Sequence, residues 1–181
     1  MATRLGLLLA AGRLLSAVAG AARAGVRAPE EGVKAAYLFK FAPFVQWPPP
    51  AFESETDPLV VCVSGDDDFA ALAQSAMASQ RLGARAMETR RLARVEKGAH
   101  CHVLFVAAGA GQTVADALAA VKGAPVLTVT DAPAGAPAGV VNFVRSGPNI
   151  RFAIDDRAAA ENGLTLSSKL LQLAVAVRRR P

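Results

Sequence analysis

Leu59-Val60-Val61-Cys62-Val63, set between Pro58 and Gly65, is an unbroken apolar run with no polar residue on either parity. A strand with one face in water alternates, so a continuous run bounded by turn formers is a strand covered on both faces, the habit of a parallel sheet between helical layers. Downstream, Asp66, Asp67 and Asp68 can cap a helix continuing through Phe69, Leu72 and Met77. Residues 84–90 form a weak, partly polar strand, 102–107 a strand, 113–121 a helix and 126–130 a further strand. After an Ala/Gly/Pro loop at 132–138, residues 140–144 and 150–154 read as two strands joined by Ser146-Gly147-Pro148-Asn149, a hairpin. Asp155 or Asp156 then caps a final helical region to about Arg179, broken by Gly163, with Leu166, Leu170, Leu173 and Val177 on one face. The pattern predicts one three-layer α/β domain over residues 25–181, with a mostly parallel sheet and an antiparallel edge hairpin.

Upstream of the deciding run the chain is unusual. Pro29 with Glu30 and Glu31 fits a helix start, because proline suits the first turn and carboxylates favour the positive end of the helix dipole. From Val33 to Trp47 only Lys34, Lys40 and Gln46 are polar, apart from the helix-interrupting Pro43, and Pro48-Pro49-Pro50 ends whatever helix remains. Tyr37, Phe39, Phe41, Phe44 and Trp47 are five of the ten aromatic residues. A helix apolar on all sides is not buried by one sheet face, so some of these five are expected to meet a second chain, most simply a symmetric copy.

Residues 1–24 have the build of a secretory leader: Arg4, an apolar stretch from Leu5, and small-residue exits such as Ala17-Val18-Ala19 and Ala22-Arg23-Ala24. Removing them deletes Arg4, Arg13 and Arg23 and no acid, leaving seventeen basic against fifteen acidic residues, a net charge of +2 in place of +5. Basic residues are otherwise scattered, as at Arg81, Arg85, Arg90, Arg91 and Arg94, with no interleaved aromatics to stack on bases, so nucleic acid is not expected as a partner. Nothing else in the chain could span a bilayer, and an exported protein is expected. At 181 residues, 52% of them hydrophobic, the chain is neither a disordered tail nor two enzyme domains.

Catalytic parts are sparse. His100 and His102 flank Cys101, and on a strand the imidazoles would share one face while the sulfur takes the other, so no metal site and no Cys-His nucleophile is expected, only a strand edge with exposed imidazoles. Gly109-Ala110-Gly111-Gln112-Thr113 follows a strand and opens a helix, like half of a dinucleotide fingerprint, but Val114 stands where the third glycine belongs. No catalytic residue and no cofactor is assigned. In an oxidising compartment Cys62 and Cys101 could bridge, a link stabilising by roughly 3–4 kcal/mol on the chain-entropy estimate; two unpaired buried thiols are the alternative.

Four segments taken in order resemble the YfiR-type family of periplasmic repressor proteins. They are Val33-Lys34-Ala35-Ala36-Tyr37-Leu38-Phe39-Lys40-Phe41 with Val45-Gln46-Trp47-Pro48; Val61-Cys62-Val63-Ser64-Gly65-Asp66; Leu127-Thr128-Val129-Thr130-Asp131; and a C-terminal set. The last comprises Gly139-Val140-Val141-Asn142-Phe143-Val144, Arg151-Phe152-Ala153-Ile154 and the stretch from Gly163 through Ser167-Ser168-Lys169-Leu170-Leu171-Gln172-Leu173-Ala174. The chain departs from the family pattern at Pro43, Ala138 and Asp155. The resemblance implies a Cys62–Cys101 disulfide, a compact α/β domain that dimerises, and regulation in place of catalysis. Such proteins hold down a membrane-anchored diguanylate cyclase by binding its periplasmic domain, which makes that domain the expected partner. The expected contact residues are Tyr37, Phe39, Phe41, Phe44 and Trp47, together with Asn142, Phe143, Arg151 and Phe152 on the hairpin. A periplasmic small-molecule-binding module is the other reading.

Overall fold

The structure, a computed structural model, describes residues 18–109 and 111–180, with side chains from Glu30 onward. The expected leader, residues 1–24, therefore lies outside the described residues except for the backbone of 18–24. Helix α1 (Val18–Phe41) leads into a short 3₁₀ turn, strand β1 (Val45–Gln46) and a second 3₁₀ turn at Pro49–Ala51. Then follow β2 (Leu59–Ser64), α2 (Asp67–Met77), β3 (Arg81–Leu82), β4 (Arg85–Leu92), β5 (Val103–Val106), α3 (Val114–Ala120) and β6 (Leu127–Thr130). The chain ends with β7 (Val141–Ser146), β8 (Asn149–Asp155), α4 (Asp156–Glu161), β9 (Thr165–Leu166), α5 (Ser168–Leu173) and β10 (Ala176–Arg178). Among the described residues no helix is long and apolar enough to cross a membrane.

The main sheet has eight strands in the order β10-β8-β7-β6-β5-β2-β4-β3. Pairing is parallel from β4 through β2, β5 and β6 to β7, and antiparallel within the hairpins β7/β8 and β3/β4. β2 sits near the middle and every one of its residues is buried, as the unbroken apolar run requires. Its alternation sorts the two layers. Leu59, Val61 and Val63 join one core cluster with Ala35, Leu38 and Phe41 of α1 and with Phe69, Ala73 and Met77 of α2. Val60 and Cys62 join the cluster on the other face with Ala117 of α3 and with Val121. The expected three-layer, mostly parallel architecture is what the chain adopts.

Local chemistry sets the boundaries. Asp66 accepts from the backbone N–H of Phe69 at 2.8 Å and caps α2, Thr113 caps α3, and Asp155 accepts from Ala158 to cap α4. Pro43 ends α1 at Phe41 as expected. Two expectations need correcting. α1 does not begin at Pro29, because the helix is already running from Val18; proline's fixed φ is helical and costs an interior turn one hydrogen bond. The final helix does not reach Arg179. Ser167 caps a helix that stops at Leu173, Ala174 turns extended, and β-branched Val175 and Val177 carry the chain into β10 alongside β8, where the Val175 amide donates to the Phe152 carbonyl at 2.9 Å. Leu173 is accordingly exposed and does not share a buried face with Leu166 and Leu170.

Candidate functional site

The aromatic residues of α1 do two jobs. Phe41 stacks near Tyr37 with centroids 5.5 Å apart and meets Phe152 edge-on at 5.1 Å, while Tyr37 reaches Phe143 at 5.9 Å. Phe41, Phe143 and Phe152 are 1%, 2% and 4% exposed, so these three expected contact residues are interior in the chain as it stands. Tyr37, Phe39 and Phe44 are half-buried and open toward a groove of about 470 Å³. Met87 of β4 and the exposed Leu173 of α5 complete its apolar walls, with Lys40 and Arg81 at the rim. Met87, Leu173 and Arg81 were not legible as site residues, because they reach the groove from elements far apart in sequence.

Trp47 belongs elsewhere. Its indole N–H donates to the His102 carbonyl at 3.3 Å, and its ring lies edge-on to Phe52 and His102. Phe52 stacks flat on His102 with centroids 4.1 Å apart, and the Arg85 guanidinium sits 3.8 Å above the Phe52 ring. His102 is not the exposed imidazole expected: its Nδ1 accepts from the Val60 amide at 3.0 Å, its Nε2 lies 2.8 Å from the Ala51 carbonyl, and burial pushes its pKa down. The strand begins only at Val103, and the stretch before it is a loop in which His100 takes a positive φ of 50° and remains exposed. Both cysteines lie beside this cluster, bonded to each other with Cα atoms 5.8 Å apart. Cys101, His100 and His102 line a cleft of about 410 Å³.

The hairpin alternates as a strand must. Phe143 pairs with Phe152 on the α1 face, and Val144 pairs with Arg151 on the opposite one. The Asn142 side chain is spent locally: its Oδ1 accepts from the Thr130 hydroxyl at 2.7 Å and from the Ala132 amide at 2.9 Å, and its Nδ2 donates to the Ala132 carbonyl. Arg151 is exposed and donates to the Leu173 carbonyl at 3.5 Å, beside the groove. The strand ends of β6 and α1 are joined by Lys34, 2% exposed, whose ammonium lies 2.5 Å from Asp131, 2.7 Å from Glu30 and 3.3 Å from Glu31. Arg145 also pairs with Glu30.

The glycine motif after β5 has a structural reason. A Cβ at Gly109 would fall 2.9 Å from the Gly65 Cα, and one at Gly65 would fall 2.5 Å from the Ala107 carbonyl oxygen, at a φ of 89°. The loops after β2 and β5 therefore meet backbone to backbone at the point where strand order reverses, the place a dinucleotide would need open. Gln112 fastens this arrangement through both the amide and the carbonyl of Val95. Among the described residues no three His, Cys, Asp or Glu side chains are grouped to hold a metal ion.

No curated protein sequence matches the chain. The family model described as YfiR/HmsC-like matches residues 31–175, a span that takes in the groove, the disulfide and the hairpin. With the ordered segments, the buried disulfide pair and the α/β sheet on the page, that match over most of the chain makes it a member of the YfiR/HmsC-like family.

Proposed function

We propose that this protein is a periplasmic regulator without catalytic activity, which binds the periplasmic domain of a membrane-anchored diguanylate cyclase and holds the cyclase off, lowering cyclic-di-GMP inside the cell. The observation that carries this reading is the family match over residues 31–175. Two features of the molecule support it. His102, the half-buried histidine, has both ring nitrogens engaged with backbone groups and has no free position for acid or base work. The groove at the end of α1 instead offers half-buried aromatic side chains beside an exposed leucine, the composition of a binding surface. The partner is contacted through Tyr37, Phe39, Phe44 and Leu173, with Arg151 at the margin, while Phe41 and Phe152 form the floor beneath. The leader pattern and the Cys62–Cys101 bridge fit an oxidising compartment. Deleting the gene in its host is expected to raise cellular cyclic-di-GMP and strengthen surface attachment. An unchanged cyclic-di-GMP level, with the cyclase present and the protein expressed in the parent, overturns the reading.

A further inference from the structure

The groove at the end of α1 combines apolar walls with a one-sided rim. Its floor is Phe41 and Phe152, and its walls include Tyr37, Phe39, Phe44 and Leu173. Among the described residues Lys40 and Arg81 are the only charged side chains lining it. Among the described residues Lys40 makes no ion pair, and the Arg81 guanidinium donates only to the Ala84 carbonyl. Two cations without counter-ions at the mouth of an apolar groove complement a ligand with an aliphatic tail and an anionic head. The volume of about 470 Å³ falls in the range of small-molecule sites, which run from about 300 to 1,000 Å³ and are mostly apolar with few orienting polar groups.

We infer that this groove binds a free fatty acid, a single-chain aliphatic carboxylate, with its tail along the α1 aromatics and its carboxylate between Lys40 and Arg81. The groove is the one assigned above to the cyclase, so on that reading a bound fatty acid competes with the partner; the binding itself does not depend on it.

The test is titration calorimetry of the full chain with dodecanoate below its micellar concentration, in parallel with dodecyltrimethylammonium, which has the same tail and the opposite charge. One saturable dodecanoate site is expected, with the cationic amphiphile roughly tenfold weaker or worse. The double variant Lys40→Glu/Arg81→Glu changes two exposed positions, and is expected to keep the parent's unfolding midpoint while losing roughly tenfold in dodecanoate affinity. No saturable binding, equal binding of the cationic amphiphile, or unchanged affinity in the folded double variant overturns the proposal. So does a stable dimer in sedimentation that excludes dodecanoate, because the groove then belongs to a second copy. Because no cyclase is present in this experiment, its failure is distinguishable from a failure of the regulatory reading, which the gene deletion measures.

Discussion

The ammonium of Lys34 and the carboxylate of Asp131 meet at 2.5 Å across 97 positions of sequence, fastening α1 to the C-terminal end of β6. Burial pulls the Lys34 pKa down, and hydrogen bonds to Asp131 and Glu30 with the charges of Asp131 and Glu31 outweigh it, leaving the ammonium above the usual lysine value. Its contribution to stability is thus present below the unfolded lysine pKa and lost only as pH rises through the folded one.

Lys34→Ala is expected to cost about 2–4 kcal/mol in urea unfolding at neutral pH, toward the lower end for a broken buried pair because water reaches Asp131. Lys34→Met, which refills the space without the charge, should recover part of that loss. A cost below about 0.5 kcal/mol, the scale of an ordinary surface change, would show that the pair does not hold the helix.

Reducing the Cys62–Cys101 bond, which joins residues 39 apart in sequence, should lower stability by about 3–4 kcal/mol. The double variant Cys62→Ala/Cys101→Ala should match the reduced parent and ignore reductant. Equal denaturation midpoints with and without dithiothreitol would contradict this.

His102 predicts a loss of stability in mild acid. Burial holds its folded pKa below the ordinary histidine value, so the unfolded chain takes up the proton first. The stabilisation is complete above the unfolded pKa of about 6.5 and declines as pH falls from there toward the folded value. The parent's unfolding midpoint should therefore drop between neutral pH and about pH 5 more steeply than that of His102→Gln, which cannot titrate. Parallel curves for the two proteins would exclude His102 as the source.

Core and surface along the α1 groove separate by mutation. Phe41→Ala should destabilise by about 3–5 kcal/mol, as for other large-to-small changes at fully buried aromatics, whereas Leu173→Ser should stay within about 0.5 kcal/mol. Thermal or urea midpoints decide this, and a mild Phe41→Ala would mean that its ring is not part of the monomer's core.

Much of the fold was legible because it is written locally. The unbroken 59–63 run required burial on both faces, Asp66 and Asp155 stood where caps belong, and alternation alone put Phe143 and Asn142 on opposite sides of β7. What alternation does not say is which side faces inward, and the hairpin aromatics turned out to be interior, not surface. The other omissions are contacts that no local pattern encodes. Lys34 and Asp131 are remote in sequence, His102 gains its role only when the Ala51 carbonyl and the Val60 amide close on it, and β10 forms because β8 leaves an edge to be covered.

The strand order also dictates a sequence of assembly. From β2 the sheet grows in one direction strictly in chain order, through β5, β6, β7 and β8 to β10, so each strand emerging from synthesis finds its neighbour already made. Until β10 arrives, β8 carries an open row of amides and carbonyls, the kind of edge on which chains aggregate. The opposite border is blunted early by the two-residue β3 and by Arg81, Arg85, Arg90 and Arg91. Without Ala176–Arg178 the groove, the disulfide and nearly all of the core would remain, yet β8 would stand at the border with its residues 153–155 unpaired; β10 replaces that long edge with one of three residues, the short kind that offers a passing strand little to pair with.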